Sequence, residues 1–402
     1  MRKHKPDLSL ILFVLGLMAI SLIIVFAIGP RVVQAQNSLY GKNFAEDYYF
    51  RHHLIAIILS IGAMVAGYLL KFEWLEKFAK KFLIVSFALC ILVTILGAAG
   101  VDSLVTCDKG ACRSLRIGTF GFMPSEILKI SVMFYMSWLI RDRKKTNELD
   151  TRRFIVPFLT VLFLVAIVVG WFESDFGSTF VIAVMSFAML WASGVKMKTL
   201  FKLLAPIAVA ALLLVITQPY RLERITDVTG GENAYHTENS LISMGTGGLT
   251  GVGIGNSIQS TGWLPEAISD SIFSIICETW GFIGAMVVLI VYVAISMRMI
   301  GISQHSKDLD KRIFVVGVFA WIICHVIINV GGMTGIIPMK GITLPFVSQG
   351  GTSMLFVAYA VGVVLQISGW TTREKVKEEE NEDIGSRRGQ RRTRYARSSR
   401  RS

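Results

Sequence analysis

Charge is what this chain has least of. Only 17% of its 402 residues are Asp, Glu, Lys or Arg, while 53% are hydrophobic and the mean hydropathy is +0.58. That excludes a soluble globular domain and indicates a chain that crosses a membrane repeatedly. Histidine (6) and cysteine (5) are scarce as well. Cys90, Cys277 and Cys324 fall inside apolar runs, where a thiol is an inert packing group. Cys107 and Cys112 share one polar loop with no further Cys or His, which argues against a metal site and leaves a small disulfide loop open. No small-residue cleavage site follows the first apolar segment, so Arg2, Lys3 and Lys5 introduce a retained span rather than a signal peptide. The one glycine-rich stretch is not followed by Gly-Lys-Ser/Thr and lies in no strand–helix unit, so it is not a nucleotide-binding loop.

What is present is a series of ten apolar runs, each close to the roughly 20 residues a helix needs to cross about 30 Å of hydrocarbon. They are Leu8–Gly29, Leu54–Leu70, Phe82–Ala99, Ser125–Ile140, Phe154–Gly170, Ser178–Gly194, Thr199–Thr217, Ser271–Met297, Ile313–Ile336 and Gly351–Trp370. The expected fold is an all-α polytopic membrane protein of ten transmembrane helices over residues 1–370. A large extracytoplasmic loop, 218–270, joins helices 7 and 8, and a basic tail, 371–402, has the composition of a disordered segment. Alternate segments, starting with the amino terminus, hold 31 of the 41 Lys and Arg. The positive-inside rule therefore predicts both termini in the cytoplasm. The net charge of +13 is accounted for by those segments and requires no nucleic-acid partner. The tail suits anionic membrane lipid or a soluble protein partner.

The polar residues collect on the other side. Loop 218–270 is too long for a simple connection and too rich in patterned apolar residues for disorder. It holds Arg221 and Arg224, a glycine ladder from Gly245 to Gly255, Asn256, Gln259, Glu266 and, where the chain turns apolar again, Asp270. The ladder's glycines suit close backbone packing or re-entrant turns. Asp270 has two readings, a helix N-cap or a catalytic base. Pro124-Ser125-Glu126 starts a helix, with Glu126 suited to its positive end. Lys129 lies three residues on, one turn inside the membrane, where a charge needs a partner or a wet cavity. With Arg113 and Arg116 it predicts a basic pocket for phosphate. Asp175 either turns the chain locally or serves the site. Within the ninth run, His325 and Asn329 suit interhelical hydrogen bonds. Lys340 and Ser348 precede a glycine-rich helix start whose N–H groups form an anion site.

Together these stretches resemble the SEDS family, the ten-span FtsW/RodA proteins of shape, elongation, division and sporulation. The resemblance runs from about Arg113 to Leu365. It rests on Arg113…Pro124-Ser125-Glu126-Ile127-Leu128-Lys129, Asp175 with Gly177, Pro219-Tyr220-Arg221…Arg224, Gly253-Ile254-Gly255-Asn256-Ser257-Ile258-Gln259, Leu264-Pro265-Glu266-Ala267…Asp270 and Lys340-Gly341-Ile342-Thr343-Leu344-Pro345…Ser348-Gln349-Gly350-Gly351. The Pro-Glu-Ala form and the Tyr-Arg pair favour the division branch. Met123, Ser114, Glu173-Ser174 and Ser271 depart from the family pattern without removing a catalytic charge.

The resemblance implies a peptidoglycan glycosyltransferase on the outer face of the bacterial cytoplasmic membrane, polymerising lipid II for the septal wall. It implies a class B penicillin-binding protein and other divisome proteins as partners. The family's essential Asp falls on Asp270, the general base of an inverting displacement. Arg113, Glu126, Lys129, Asp175, Arg221, Arg224, Asn256, Gln259, Glu266, Lys340 and Ser348 become the substrate-binding set. No organic cofactor is implied; a divalent cation, Mg2+ or Mn2+, would have no dedicated site. A lipid II flippase and a non-catalytic scaffold for the penicillin-binding protein are the rival readings. The outer-side clustering of the polar motifs favours the enzyme.

Overall fold

The computed structural model describes residues 5–101, 103–108, 111–117, 120–196, 198–203, 205, 232–337 and 341–370. Eleven helices are labelled here: α1 Leu8–Tyr40, α2 Tyr48–Leu69, α3 Phe72–Lys77, α4 Ala79–Ala98, α5 Pro124–Lys145, α6 Arg152–Val165, α7 Phe176–Ala192, α8 Glu232–Gly247, α9 Ile272–His305, α10 Leu309–Met333 and α11 Gly351–Ser368. Among the described residues, seven helices are long and apolar enough to cross a membrane: α1, α2, α4, α6 with its continuation, α9, α10 and α11. α7 is apolar but spans only Phe176–Ala192, and α5 carries Glu126 and Lys129 in its first turns and a basic last turn. Nine of the ten expected runs therefore coincide with a helix. Of the run Thr199–Thr217 only residues 199–203 and 205 are described; the rest of it, the tail and the candidate residues Arg221, Arg224 and Lys340 lie outside the described residues.

Two features depart from expectation. The fold is not all-α, because the polar segment before α5 forms a three-stranded antiparallel sheet: β1 Val105–Asp108, β2 Ala111–Ile117 and β3 Phe120–Phe122. Short extended runs such as Val105-Thr106 favour the pleated backbone, and a Cys107–Cys112 disulfide closes the first hairpin. The first helix also continues to Tyr40 rather than stopping near Gly29. Its extension is held by contacts outside the bundle, where Arg31 Nη1 donates to Ser257 O at 2.7 Å.

The long loop and α9 are built on each other. α9 breaks at Gly281 (φ 68°, ψ −169°), and the freed backbone pairs with the glycine ladder. The N–H of Val252 donates to Glu278 O (2.9 Å), that of Gly253 to Thr279 O (3.1 Å) and that of Phe282 to Gly248 O (2.9 Å). Side chains would prevent this. A Cβ on Gly247 would come within 1.8 Å of Cys277 O, and one on Gly281 within 2.4 Å of Gly251 N. The ladder is thus a backbone-on-backbone contact that satisfies polar groups where a helix is interrupted.

Residues 341–350, between α10 and α11, form a second irregular segment, sunk into the bundle. Ile342, Leu344, Phe346, Val347 and Ser348 are buried. Its carbonyls are taken up one by one: Thr343 O by His325 Nδ1 (3.1 Å), Ile342 O by Asn329 Nδ2 (2.7 Å), Pro345 O by the Tyr292 hydroxyl and Val347 O by Ser21. Beneath it α11 and α2 pack backbone to backbone at small residues, since a Cβ on Gly362 would lie 2.0 Å from Met64 O. At the amino-terminal face, Asp7 caps α1 through Leu10 N (3.1 Å) and receives Arg298 Nε at 2.9 Å, tying α1 to the end of α9.

Candidate active site

Two adjoining cavities open on the face remote from the amino terminus. The larger, about 560 Å³, lies between the extension of α1 and the segment before α9, with Gln36, Tyr49, Glu266, Ser269 and Gln349 in its wall. The smaller, about 310 Å³, gathers Arg113, Glu126, Lys129, Asp175, His325 and the start of α11. Gly121 and Gly351 line both.

The smaller cavity is organised by Lys129. Pro124 occupies the first position of α5, where its missing N–H costs nothing. Glu126 and Lys129 then fall on one face, with Nζ and Oε1 2.8 Å apart. Both side chains are almost wholly buried (Lys129 1% and Glu126 5% exposed), and Glu126 Oε2 has no hydrogen-bond partner among the described residues. Nζ lies 5.5 Å from the centre of the Trp321 ring. That indole donates to His325 Nε2 (3.0 Å), and His325 Nδ1 donates to Thr343 O, so the ring carries its proton on Nδ1. His325 and Asn329 therefore bond to Trp321 and to loop carbonyls, rather than bridging helices as expected.

Arg113 and Asp175 meet across a turn. α6 continues as a π-helical segment, Ala166–Phe172, whose wide bonding runs on to Glu173 N. Arg113 donates from Nε to Glu173 O (2.9 Å) and from Nη2 to Ser174 O (3.0 Å). Asp175 Oδ1 accepts from Ser178 N at 2.9 Å and caps α7, so its local turn role is present and its carboxylate also edges the cavity. Glu173, beside the Cys90 thiol, is fully buried. Burial and the Asp175 charge push its carboxyl up to about 8, against the Cys90 hydrogen bond and the Arg113 charge.

Between about pH 4.5 and 8 the folded chain keeps a proton on Glu173 that the unfolded chain has lost, so this group lowers stability as pH rises, by up to about 1.4 kcal/mol per unit. Glu173→Gln is expected to raise the unfolding temperature at pH 8 and to leave it unchanged near pH 4.5. Equal shifts at both values would refute the assignment.

Asp270 lies just behind the cavity walls: Ser269, before it, lines the larger cavity, and Gly341, beside its carboxylate, lines the smaller. α9 starts at Ile272 and its N-cap is Ser271, so the N-cap reading of Asp270 is not realised. Its carbonyl accepts from Asn329 Nδ2 (2.7 Å), and a Cβ on Gly341, in the wall of the smaller cavity, would lie 3.0 Å from Oδ2. Loss of solvation, then the charge of Glu266, pushes the carboxyl up to about 7. Glu266, in the larger cavity, has a strained φ of 50° and accepts from Ser269 Oγ at 2.7 Å.

The other expected residues have structural partners away from both cavities. Asn256 Nδ2 closes a turn on Val252 O (3.0 Å). Ser348 Oγ accepts from Leu344 N (2.7 Å) and is buried. Gln259 donates its N–H to Glu278 Oε1 (3.2 Å). Glu278, not singled out from the sequence, is fully buried and also accepts from Ser257 Oγ (2.6 Å) and Ile258 N (2.8 Å), pinning the long loop to α9. A carboxylate inside an apolar run was the signal that could have found it, the one that drew attention to Lys129. Gln36 and Gln349 carried no such signal. Among the described residues no group of three or more His, Cys, Asp or Glu is placed to hold a metal ion.

Residues 8–373 match the family model FtsW/RodA/SpoVE, described as "Cell cycle protein". The chain is 32% identical to the probable peptidoglycan glycosyltransferase FtsW of Coxiella burnetii, over 90% of this chain and 96% of that one. It is 30% identical to stage V sporulation protein E of Bacillus subtilis, over 92% and 99%. The fold matches a chain from a solved peptidoglycan synthase complex that coordinates polymerization and crosslinking, with a TM-score of 0.70, 19% identity and coverage of 90% and 97%. It also matches the rod shape determining protein RodA of Thermus thermophilus, with a TM-score of 0.62, 20% identity and coverage of 90% and 96%. A mostly helical, multi-pass bundle is thus shared with these proteins, and the chain belongs to the FtsW/RodA/SpoVE family.

Proposed function

We propose that the chain is a peptidoglycan glycosyltransferase that polymerises lipid II into β-1,4 glycan strands for the septal wall. The observation that carries this is the placement of a carboxylate, Asp270, beside the walls of two cavities, one bearing Arg113 and Lys129 and the other Gln36, Glu266 and Gln349. In the proposed reaction Arg113, at the cavity rim, binds the donor's diphosphate in the ground and transition states alike, and Lys129 faces the phosphate oxygen where negative charge builds as its bond to C1 breaks. Asp270 takes the proton of the acceptor 4-hydroxyl while that oxygen bonds to C1. The lipid diphosphate leaves from the opposite face, so an α-linked donor gives a β-linked product. Glu266, through its charge, holds Asp270 basic enough to act.

The full topology belongs to the same proposal: ten spans, both termini cytoplasmic and the two cavities on the outer face of the bacterial cytoplasmic membrane. The distribution of Lys and Arg supports it. The named activity of the relatives and the synthase complex among the fold matches support lipid II as substrate and a class B penicillin-binding protein as partner. The test is reconstitution of the full chain with that partner in liposomes, its crosslinking activity blocked, supplied with lipid II. Polymer on a gel is expected. Translocation of lipid II across the bilayer without polymer would overturn the enzyme reading in favour of a transporter.

A further inference from the structure

The Cys107–Cys112 disulfide has a consequence for Arg113, the next residue along β2. In the β1–β2 ladder Val105 lies opposite Leu115 and Thr106 opposite Ser114, but Cys107 lies opposite Cys112. One residue of β2, Arg113, therefore has no counterpart on β1. Had the regular register continued, Cys107 would face Arg113 and the two cysteines could not be opposed. The disulfide and the ladder are satisfied together only by extruding Arg113 as a one-residue bulge. Such bulges bend a strand and redirect a side chain, and here the redirected guanidinium reaches the carbonyls of Glu173 and Ser174 at the rim of the smaller cavity. The hairpin is also seated firmly. A Cβ on Gly97 of α4 would lie 2.5 Å from both Cβ and Sγ of Cys112. Cys107, by contrast, is exposed, so a reductant can reach the bond.

We propose that the Cys107–Cys112 disulfide is a positioning element of the site: it holds the bulge that aims Arg113 into the diphosphate cavity, and its reduction weakens lipid II binding by releasing that register. The inference rests on the proposed function for the role of the cavity. A hairpin without the bond can slip by one residue, and a slip sends every side chain beyond it to the opposite face. Reduction by dithiothreitol breaks the one S–S bond. Two electrons and two protons pass to the cysteines, giving two thiols, and the reductant closes to its own cyclic disulfide.

The test uses the full chain purified with its penicillin-binding partner. Kinetics of lipid II polymerisation are compared before and after dithiothreitol and alkylation, with mass spectrometry confirming two labels on this hairpin; Cys90, Cys277 and Cys324 are buried. Reduction is expected to raise KM about tenfold, the effect of losing a charge-assisted contact, with kcat little changed. Cys107→Ser/Cys112→Ser should behave as the reduced enzyme and ignore dithiothreitol. Arg113→Ala with the disulfide intact should show the same rise in KM and gain nothing further on reduction. If Arg113→Ala raises KM but reduction of the parent does not, the positioning role fails and the cavity assignment stands. If reduction impairs Arg113→Ala as much as the parent, the bond acts through general stability and the proposal is wrong. Parental KM in Arg113→Ala would remove the diphosphate assignment, and the positioning role with it.

Discussion

Asp270→Asn is expected to reduce lipid II polymerisation about 100- to 10,000-fold, the usual loss when a general base is removed. The variant should remain folded. Asp270 does not cap α9, because Ser271 holds that position, and the backbone carbonyl that Asn329 grips is untouched by the substitution. Linkage sharpens the separation of folding from chemistry. The folded carboxyl is pushed up from 3.8 to about 7, so ionising it costs the folded state stability in the window between those values, in full above about 7. Asn removes that cost. The variant should therefore unfold at the same temperature as the parent near pH 3.8, and at the same or a higher temperature at pH 8, where its polymerisation is reduced by that factor.

The same shift sets the sign of the parental pH profile. A base must be unprotonated, so polymerisation should rise with pH up to about tenfold per unit below pH 7 and level off above it. Asp270→Asn should lack that limb. Near-parental polymerisation by the variant, or a parental profile that falls as pH rises from 5 to 7, would remove Asp270 from the role of base. Glu266 would then be the next carboxylate to substitute.

How far the sequence disclosed this arrangement depends on how local the governing physics is. Hydrocarbon thickness imposes a run of about 20 apolar residues on every spanning helix, which is why nine expected runs meet helices. Lys129 stood out because a lone cation in an apolar run is costly without a partner, and the partner, Glu126, lies three residues away on the same face. The sheet was hidden because its strands are short and lie in a polar, glycine-containing segment. A bulge that exists only when Cys107 opposes Cys112 cannot be read before that pairing is known. The break at Gly281 was concealed by a largely apolar run from Ile272 onward; what makes it a break is the glycine ladder docked against it. Asn256, Gln259 and Ser348 belong to recognisable motifs, yet the hydrogen bonds they make here hold turns and pin the long loop. Motif membership marked residues that matter without separating those that shape the site from those that line it.

Lys129→Met is expected to cost about 3–5 kcal/mol of stability, because it leaves the Glu126 carboxylate buried without its cation. Glu126 Oε2 already lacks a hydrogen-bond partner among the described residues, so none of these donates to it in compensation. That loss by itself would say nothing about substrate. Glu126→Gln/Lys129→Met supplies the separation, since removing both charges leaves two neutral side chains of similar volume, an exchange that is often neutral or stabilising in an interior. The double variant should recover the parental unfolding temperature in detergent. It should nevertheless lose about 100- to 1,000-fold in kcat for lipid II, as sites do when a donor to a developing anion is deleted. Recovery of stability together with polymerisation at the parental rate would show that the pair only holds α5 against Trp321. The diphosphate would then have to be placed on other cations of the site.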